Sequence, residues 1–323
     1  MMRTPRPTPL RVFGFSGGTW RSLVAHLHGV QGVPSSNLGV PTIFIRAVCS
    51  TGANSGLTGE IIMASILRHR LNATLAATIC FATLASAVAA KSPSVPKAIA
   101  TAVADPARPQ ADRDRDADRK PAECIAFAGL KAGQHIVDLI PGGGYFTRIF
   151  SGVVGPKGQV FAVAPPKRPD APPDRPEPSA AVRAIAADPH YQNVTVSVEK
   201  VAELKLPEKL DMVWTSQNYH DVHNVPNIDV GAFNKAIFES LKPGGIYIVI
   251  DHATEKGAGF TVTSTLHRSD PDAVKAEVMA AGFKFVGSSD VIANPADDHK
   301  TAGFDKGLHD KTDRYVLKFS KPK

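Results

Sequence analysis

The chain is poor in cysteine, with only three in 323 residues: Cys49, Cys80 and Cys124. Only Cys124 lies in the part of the sequence that has the composition of a folded domain, so no disulfide can form inside that domain. Phe127 and Ala128 beside it predict a buried, inert thiol. The sequence also lacks a cysteine cluster and a His-Glu-x-x-His pattern, and we therefore assign no metal ligands from it.

Unbalanced positive charge is missing from most of the chain, although the whole sequence has a formal net charge of +7. Residues 1–62 contain five arginines and one glutamate, and residues 63–90 contain two arginines and no acid. Residues 91–323 are therefore close to neutral. Because nucleic-acid-binding domains concentrate basic residues on their folded part, we expect no nucleic-acid partner.

Two N-terminal segments are predicted to lie outside the mature protein. Residues 1–62 lack hydrophobic periodicity and look like the translation of a transfer-RNA gene, so we interpret them as a disordered upstream read-through. Residues 63–90 have a basic start, an uncharged apolar run and a small-residue pattern at Ala87-Val88-Ala89, which predict a signal peptide cleaved near Ala89. The mature chain is then periplasmic or secreted, with no membrane span; the alternative is a cytoplasmic protein.

The next segment, residues 91–118, combines many charges of both signs with few large apolar residues. Such a composition cannot bury a core, so it predicts a disordered charged arm. Pro121 suits the first position of a helix. We therefore predict one folded domain over residues 119–323.

A short apolar run at residues 136–140 ends in the three glycines Gly142, Gly143 and Gly144. Apolar residues then recur with helical spacing from Phe146 to Val153. Glycines let the backbone approach a ligand closely, and the helix behind them offers free N–H groups. The pattern of strand, glycine turn and helix therefore predicts a nucleotide-type binding site.

Strands and helices alternate through the rest of the domain, which predicts a parallel α/β sheet with helices on both faces. Asp229 and Asp270 are predicted to cap two of the helices. A proline-rich insertion with seven prolines, residues 165–178, interrupts the pattern after the second strand. The strands are predicted at residues 136–140, 159–164, 194–198, 210–215, 246–250, 284–286 and 314–319.

These features together resemble class I S-adenosylmethionine-dependent methyltransferases, over roughly residues 119–323. The resemblance rests on the glycine turn, on Leu210-Asp211-Met212-Val213-Trp214, on Leu241-Lys242-Pro243-Gly244-Gly245 and on Ala280-Ala281-Gly282-Phe283. More narrowly, the chain is similar to a bacterial group of exported methyltransferases. The resemblance implies a Rossmann-like three-layer α/β/α sandwich, with a seven-stranded, mostly parallel sheet whose last strand is antiparallel.

The resemblance also implies S-adenosylmethionine as cofactor and a small-molecule or protein methyl acceptor. His220 is the expected general base, oriented by Asp221, with Tyr219 beside them at the acceptor. The residues expected to contact the cofactor lie in the glycine turn, at the end of the strand before it and in the loop after the fourth strand. They are Asp138, Gly142, Gly143, Gly144, Tyr145, Gln217 and Asn218.

Three positions depart from the usual pattern of that family. Ile140 stands at the first glycine, Ala164 replaces the acid that holds the ribose, and Val201 replaces the acid near the adenine. Each missing acid predicts a loss of about 1–3 kcal/mol in cofactor binding. Asp170 and Asp174 in the proline-rich insertion are candidate substitutes.

Two other functions compete with methyl transfer. The missing acids favour a non-catalytic envelope module that keeps the fold and binds another ligand or a protein. A metal-dependent hydrolase built on His220, Asp221 and His223, with His252 as a further ligand, is the lesser alternative, because His220 and His223 have the spacing of one helical turn. Asp251-His252 ends the fifth strand, where functional residues gather.

Overall fold

The computed structural model describes residues 94–323 apart from residues 208 and 309. The predicted read-through and signal peptide lie outside these residues and stay predictions. In the described part, no helix is both long enough and apolar enough to span a membrane. The strands are β1 His135–Leu139, β2 Gln159–Ala164, β3 Val194–Val198, β4 Leu210–Ser216, β5 Leu241–His252, β6 Lys284–Ser289 and β7 Arg314–Ser320.

Four α-helices precede β1, and the others connect β1 to β2, β2 to β3, β4 to β5 and β5 to β6. Asp229 and Asp270 cap the helices that begin at Val230 and Pro271 as predicted, since their side chains accept hydrogen bonds from the N–H groups of Ala232 and Asp272. The helices are α1 Lys97–Val103, α2 Gln110–Arg113, α3 Asp116–Arg119, α4 Pro121–Ala128, α5 Tyr145–Val154, α6 Ala180–Ala187, α7 Tyr219–Val222, α8 Val230–Ser240 and α9 Pro271–Ala280.

The seven strands form one sheet in the order β3-β2-β1-β4-β5-β7-β6. Neighbouring strands from β3 to β5 are parallel, whereas β7 is antiparallel to both β5 and β6. Apolar side chains of both sheet faces are buried: Ile136 belongs to one core cluster and Val137 to the other. The predicted three-layer sandwich with an antiparallel last strand is confirmed.

The predicted turn at residues 242–245 lies inside β5 instead of before it. Leu241 pairs with Leu210, and the register then shifts so that Ile246 pairs with Met212. Gly244 has a φ of +80°, which glycine adopts without strain. The strand predicted at residues 246–250 is therefore longer than predicted at both ends.

The predicted disordered arm over residues 91–118 is wrong for its described part, because α1, α2 and most of α3 lie there. Ile99 and Ala102 are buried, and Ala102 packs so closely on Gly152 of α5 that a side chain at residue 152 would overlap it. Two apolar residues on one face are enough to dock α1. The folded domain therefore begins well before residue 119.

Several charged residues of this segment have specific partners within the fold. Arg108 forms two hydrogen bonds to Asp116, at 2.8 and 2.7 Å. Arg115 bonds Asp310 at 2.5 and 3.0 Å. Composition does not reveal which charges are paired, above all where the partner is distant in the sequence, as Asp310 is from Arg115. Charges that are paired and hydrogen-bonded can be buried.

The packing of α1 can be tested with Ile99→Ala. We expect the variant to lose about 2–5 kcal/mol of unfolding free energy, because a fully buried isoleucine is truncated. Lys97→Ala, on the exposed face of the same helix, should change it by less than about 0.5 kcal/mol. Urea unfolding of the full chain measures both values. Equal, negligible effects of the two substitutions would instead support the prediction that this segment is disordered.

Candidate functional site

The glycine turn lies at the carboxyl ends of β1 and β4, where the strand order reverses. Such a switch point is where open α/β sheets bind ligands. The N–H of Gly144 donates to the carbonyl of Pro141 at 2.9 Å, which closes the turn. Ile140 has a φ of +56°, a conformation that glycine adopts freely and a β-branched residue rarely does. The substitution of the family's first glycine therefore keeps the glycine backbone conformation.

The three glycines of the turn differ in why, or whether, the structure requires glycine at their position. Gly144 has a φ of +78°, and a Cβ atom there would overlap Ile185 of α6. Gly142 has a φ of +54° with open space around it. Neither the backbone conformation nor the packing requires glycine at residue 143, because its φ lies outside the left-handed region and no atom lies within 4 Å of an added Cβ. Gly142 and Gly143 are exposed, so their backbone can be approached from solvent.

Asp138 is buried near the end of β1 and accepts a hydrogen bond from Thr147 Oγ1 at 2.6 Å. Burial raises the pKa of this carboxyl to about 6, against the hydrogen bonds from Thr147, which lower it. Thr147 lies in the first turn of α5. Asp138 therefore fixes the start of α5 behind the glycine turn, and the structure does not expose it to a ligand.

Gln217 and Asn218 follow β4, and Asn218 contacts the glycine turn. The side-chain amide of Asn218 donates to the carbonyls of Ile140 and Leu139, at 3.0 and 3.3 Å, so Asn218 holds the turn against β4. Thr215 hydrogen-bonds the amide oxygen of Asn218. Gln217 has a φ of +59°, and among the described residues its side chain has no hydrogen-bond partner. Of the two, Gln217 is the one available to a ligand.

Tyr145 points away from the mouth of the glycine turn and toward the N-terminal helices. Its hydroxyl donates to Asp116 at 2.5 Å, and the guanidinium of Arg119 lies 4.3 Å from its ring centre. These contacts occupy the ring and the hydroxyl. The structure therefore gives Tyr145 a role in packing α3 onto α5, and its contact with the cofactor stays a prediction.

Tyr219, the first residue of α7, and His223, which directly follows that helix, both contact Glu277 of α9. The Tyr219 hydroxyl donates to Glu277 at 2.7 Å and accepts from Asn234, and the whole side chain is buried. His223 stacks on Phe260 and also contacts Glu277, at 3.1 Å. The structure therefore does not bring Tyr219 or His223 together with the functional groups of His220.

His220 is fully buried and is oriented by Asp251, not by Asp221 as the sequence predicts. Its Nδ1 lies 2.7 Å from one carboxylate oxygen of Asp251, and its backbone N–H donates to the other, also at 2.7 Å. The distance from its Nε2 to Asp221 Oδ1 is 3.4 Å, without hydrogen-bond geometry. Asp251 is the residue that fixes the imidazole ring.

Burial lowers the pKa of His220, but the charge of Asp251, its hydrogen bond to the ring and the nearby carboxylate of Asp221 outweigh burial and raise it to about 10. Burial lowers the pKa of the neighbouring His252 to about 4, and His220 contributes to this because two positive charges would repel each other. The two histidines thus differ in protonation at neutral pH. His220 is the protonated histidine of the two, and it must lose a proton before it can act as a base.

His267 and Phe304 complete this cluster from two later loops. His267 Nδ1 lies 3.4 Å from the same Asp221 oxygen. The Phe304 ring lies 4.9 to 5.9 Å from the rings of all three histidines, and its side chain is partly exposed. The sequence alone did not identify His267 as a site residue, because only the fold brings residues 220 and 267 together. Its position between a strand and a capped helix was the one feature that pointed to it.

Neither of the two candidate substitutes for the missing acids is buried against the sheet. Asp170 is exposed and pairs with Arg168 inside the proline-rich insertion, at 3.4 Å. Asp174 is exposed as well. A cavity of about 400 Å³, lined by residues that include Leu206 and Lys242, lies at the amino ends of β4 and β5, the opposite edge of the sheet from the glycine turn.

Solved structures with a similar fold include a SAM-dependent methyltransferase from Aquifex aeolicus, 16% identical with a TM-score of 0.47, over 66% of this chain and 95% of that one. A methyltransferase from Mesorhizobium loti is 16% identical with a TM-score of 0.45, over 63% and 97%. Aeropyrum pernix fibrillarin, in complex with natively bound S-adenosyl-L-methionine, is 15% identical with a TM-score of 0.41, over 64% and 76%. No protein-family model and no curated protein sequence match the chain.

The different roles of the glycines predict different stabilities. Gly144→Ala should lose about 1–3 kcal/mol of unfolding free energy, because the new methyl group overlaps Ile185 in a left-handed backbone. Gly143→Ala should change it by less than about 0.5 kcal/mol. Denaturant unfolding measures both, and a Gly143→Ala variant as unstable as Gly144→Ala would contradict the separation of roles.

The raised pKa of Asp138 predicts a pH-dependent effect of Asp138→Asn. Since the folded pKa is about 6 and the ordinary value is 3.8, the acid stabilises the fold fully below pH 4 and loses that contribution as the pH rises through 6. The loss is at most about 3 kcal/mol. Relative to the wild type, Asp138→Asn should therefore gain stability between pH 4 and pH 7; a difference that is constant with pH in urea unfolding would refute this.

Proposed function

We propose that the chain binds S-adenosylmethionine across the glycine turn and transfers its methyl group to a small-molecule or protein acceptor. The observation that carries the proposal is the open backbone at Gly142 and Gly143, placed at the switch point of the sheet and backed by the start of α5. A bound ligand can approach bare backbone there, and nothing in the packing requires a glycine at Gly143. A ligand that approaches the backbone at this position would explain why residue 143 is a glycine.

The residues around the turn divide into those that contact the cofactor and those that position the turn. Gly142, Gly143 and Gln217 are accessible and would contact it. Asp138 and Asn218 are buried and hold α5 and the turn in place. Methyl transfer is an in-line displacement, so holding two reactants in line supplies much of the catalysis, about 7–11 kcal/mol in favourable cases.

His220 follows Gln217 and Asn218 in the same loop and is held by Asp251. It is protonated at neutral pH in the protein alone, because Asp251 and Asp221 keep its pKa near 10. As a general base it would first have to lose that proton, so an acceptor that is already nucleophilic suits the site better than one that must be deprotonated. This favours acceptors such as a thiolate or an unprotonated amine.

The proposal is tested by isothermal titration of the full chain with S-adenosylmethionine and S-adenosylhomocysteine. We expect a Kd of roughly micromolar order, weakened at least about 100-fold in Gly143→Asp, whose carboxylate occupies the approach to the turn. Gly287→Asp is the matched control, because Gly287 on β6 also has open space and no left-handed φ. The control should bind like the wild type.

Two results would refute the proposal. One is the absence of binding by the wild type at millimolar ligand, which would leave the missing acids at Ala164 and Val201 as the explanation. The other is equal binding by Gly143→Asp and the wild type, which would place any bound ligand elsewhere. Far-ultraviolet circular dichroism of each variant shows whether it is folded before its affinity is compared.

A further inference from the structure

The cluster around Asp221 contains two ring nitrogens that converge on one carboxylate oxygen and have no hydrogen-bond partner. They are Nε2 of His220 and Nδ1 of His267, both enclosed by protein atoms. Each lies 3.4 Å from Asp221 Oδ1. The three atoms all lie within 4.8 Å of one another. Buried polar atoms are almost always paired, so this arrangement requires an explanation.

The tautomer of His220 follows from Asp251. A carboxylate only accepts hydrogen bonds, and Asp251 lies 2.7 Å from Nδ1, so Nδ1 carries the hydrogen. In the neutral ring, Nε2 then presents a lone pair toward the negatively charged Asp221. A lone pair and a carboxylate repel each other unless a positive charge lies between them.

The nearest cationic side chain in the sequence does not supply that charge. Arg268 follows His267 directly, but its guanidinium is buried against Asp297, at 2.9 and 3.0 Å, and it donates to the carbonyl of Ala253. Hydrogens on Nε2 of a protonated His220 and on Nδ1 of His267 would both point at Asp221, but at 3.4 Å neither pair has hydrogen-bond geometry. A single ion bound by all three atoms satisfies both pairs.

We propose that His220, Asp221 and His267 form a binding site for one divalent transition-metal ion of the zinc type. Imidazole nitrogen and carboxylate oxygen are ligands that zinc takes at about 2.0–2.2 Å, so neighbouring ligand atoms of a tetrahedral site lie about 3.4 Å apart. Two of the three separations have this value. The third separation is at most 4.8 Å, and the His267 side chain at that end is 35% exposed and lies in a loop.

The surroundings have the features of a metal site. Asp251 orients His220 from behind, in the carboxylate–histidine–metal arrangement common around metal ions. Two histidines and Asp221 leave a fourth position open, and Asp221 is 44% exposed, so a ligand can reach the ion from solvent. Phe304 covers one side of the three rings with an apolar surface. The site is distinct from the His220–His223 pair suggested by sequence spacing.

The test is zinc binding by the untagged full chain, freed of metal with a chelator and titrated with Zn²⁺ against a chromophoric competitor. We expect one equivalent bound, with a Kd of roughly micromolar order or tighter. His267→Ala and Asp221→Asn should each weaken binding at least about tenfold. His223→Ala is the matched control, since His223 is a neighbouring histidine that is bonded to Glu277 instead, and it should bind like the wild type.

The same samples loaded with Co²⁺ should show the visible absorption of a four-coordinate ion in the wild type and the control, and lose it in His267→Ala. His267 is in a partly exposed loop, so this variant is expected to fold; unfolding midpoints without metal verify that. Failure of the wild type to bind Zn²⁺ would overturn the proposal, and would mean that a proton alone occupies the site. Equal loss in His223→Ala and His267→Ala would overturn it too, by showing non-specific binding.

Discussion

The buried carboxylate of Asp251 holds together the side of the sheet on which the histidine cluster is built. It accepts hydrogen bonds from the backbone and ring of His220 and from Ser269, which in turn bonds Tyr315 of β7. Burial raises the pKa of Asp251, but His220 outweighs this and keeps it below its ordinary value. One charged oxygen pair thus joins the loops after β4 and β5 to the antiparallel strand, and removing it would leave His220 without an orienting partner.

The positions of the strands along the chain could be predicted because each is a short segment rich in apolar residues, and several are bounded by a glycine turn or a capped helix. β2 and β3 agree with their predicted bounds, and Asp229 and Asp270 cap the helices expected of them. Residues 97–119 could not be predicted, since α1 needs the surface of α5 for stability and the arginines need distant partners such as Asp310. Composition describes a segment by itself, whereas these contacts depend on the completed sheet.

The candidate site divides in the same way. The glycine turn and the loop after β4 are local patterns, and the sequence locates both. It does not reveal in which direction each side chain of that loop points: Asn218 faces β1, Tyr219 faces Glu277, and His220 faces Asp251. One short helical turn sends consecutive residues into three environments. Sequence adjacency therefore suggested Asp221 as the partner of His220, while the fold supplies Asp251 from the neighbouring strand.

The loop after β4 contributes residues to both the proposed cofactor site and the proposed metal site, but the two sites use different residues. Its first half holds the glycine turn through Asn218, and the N–H of Gln217 donates to the carbonyl of Ile250 at 2.7 Å, one residue before Asp251. Its second half presents His220 and Asp221. A ligand that shifts the glycine turn is thus linked to the histidine cluster through the end of β5. The contacting residues of the two sites are nevertheless separate, so cofactor binding and metal binding can each fail while the other holds.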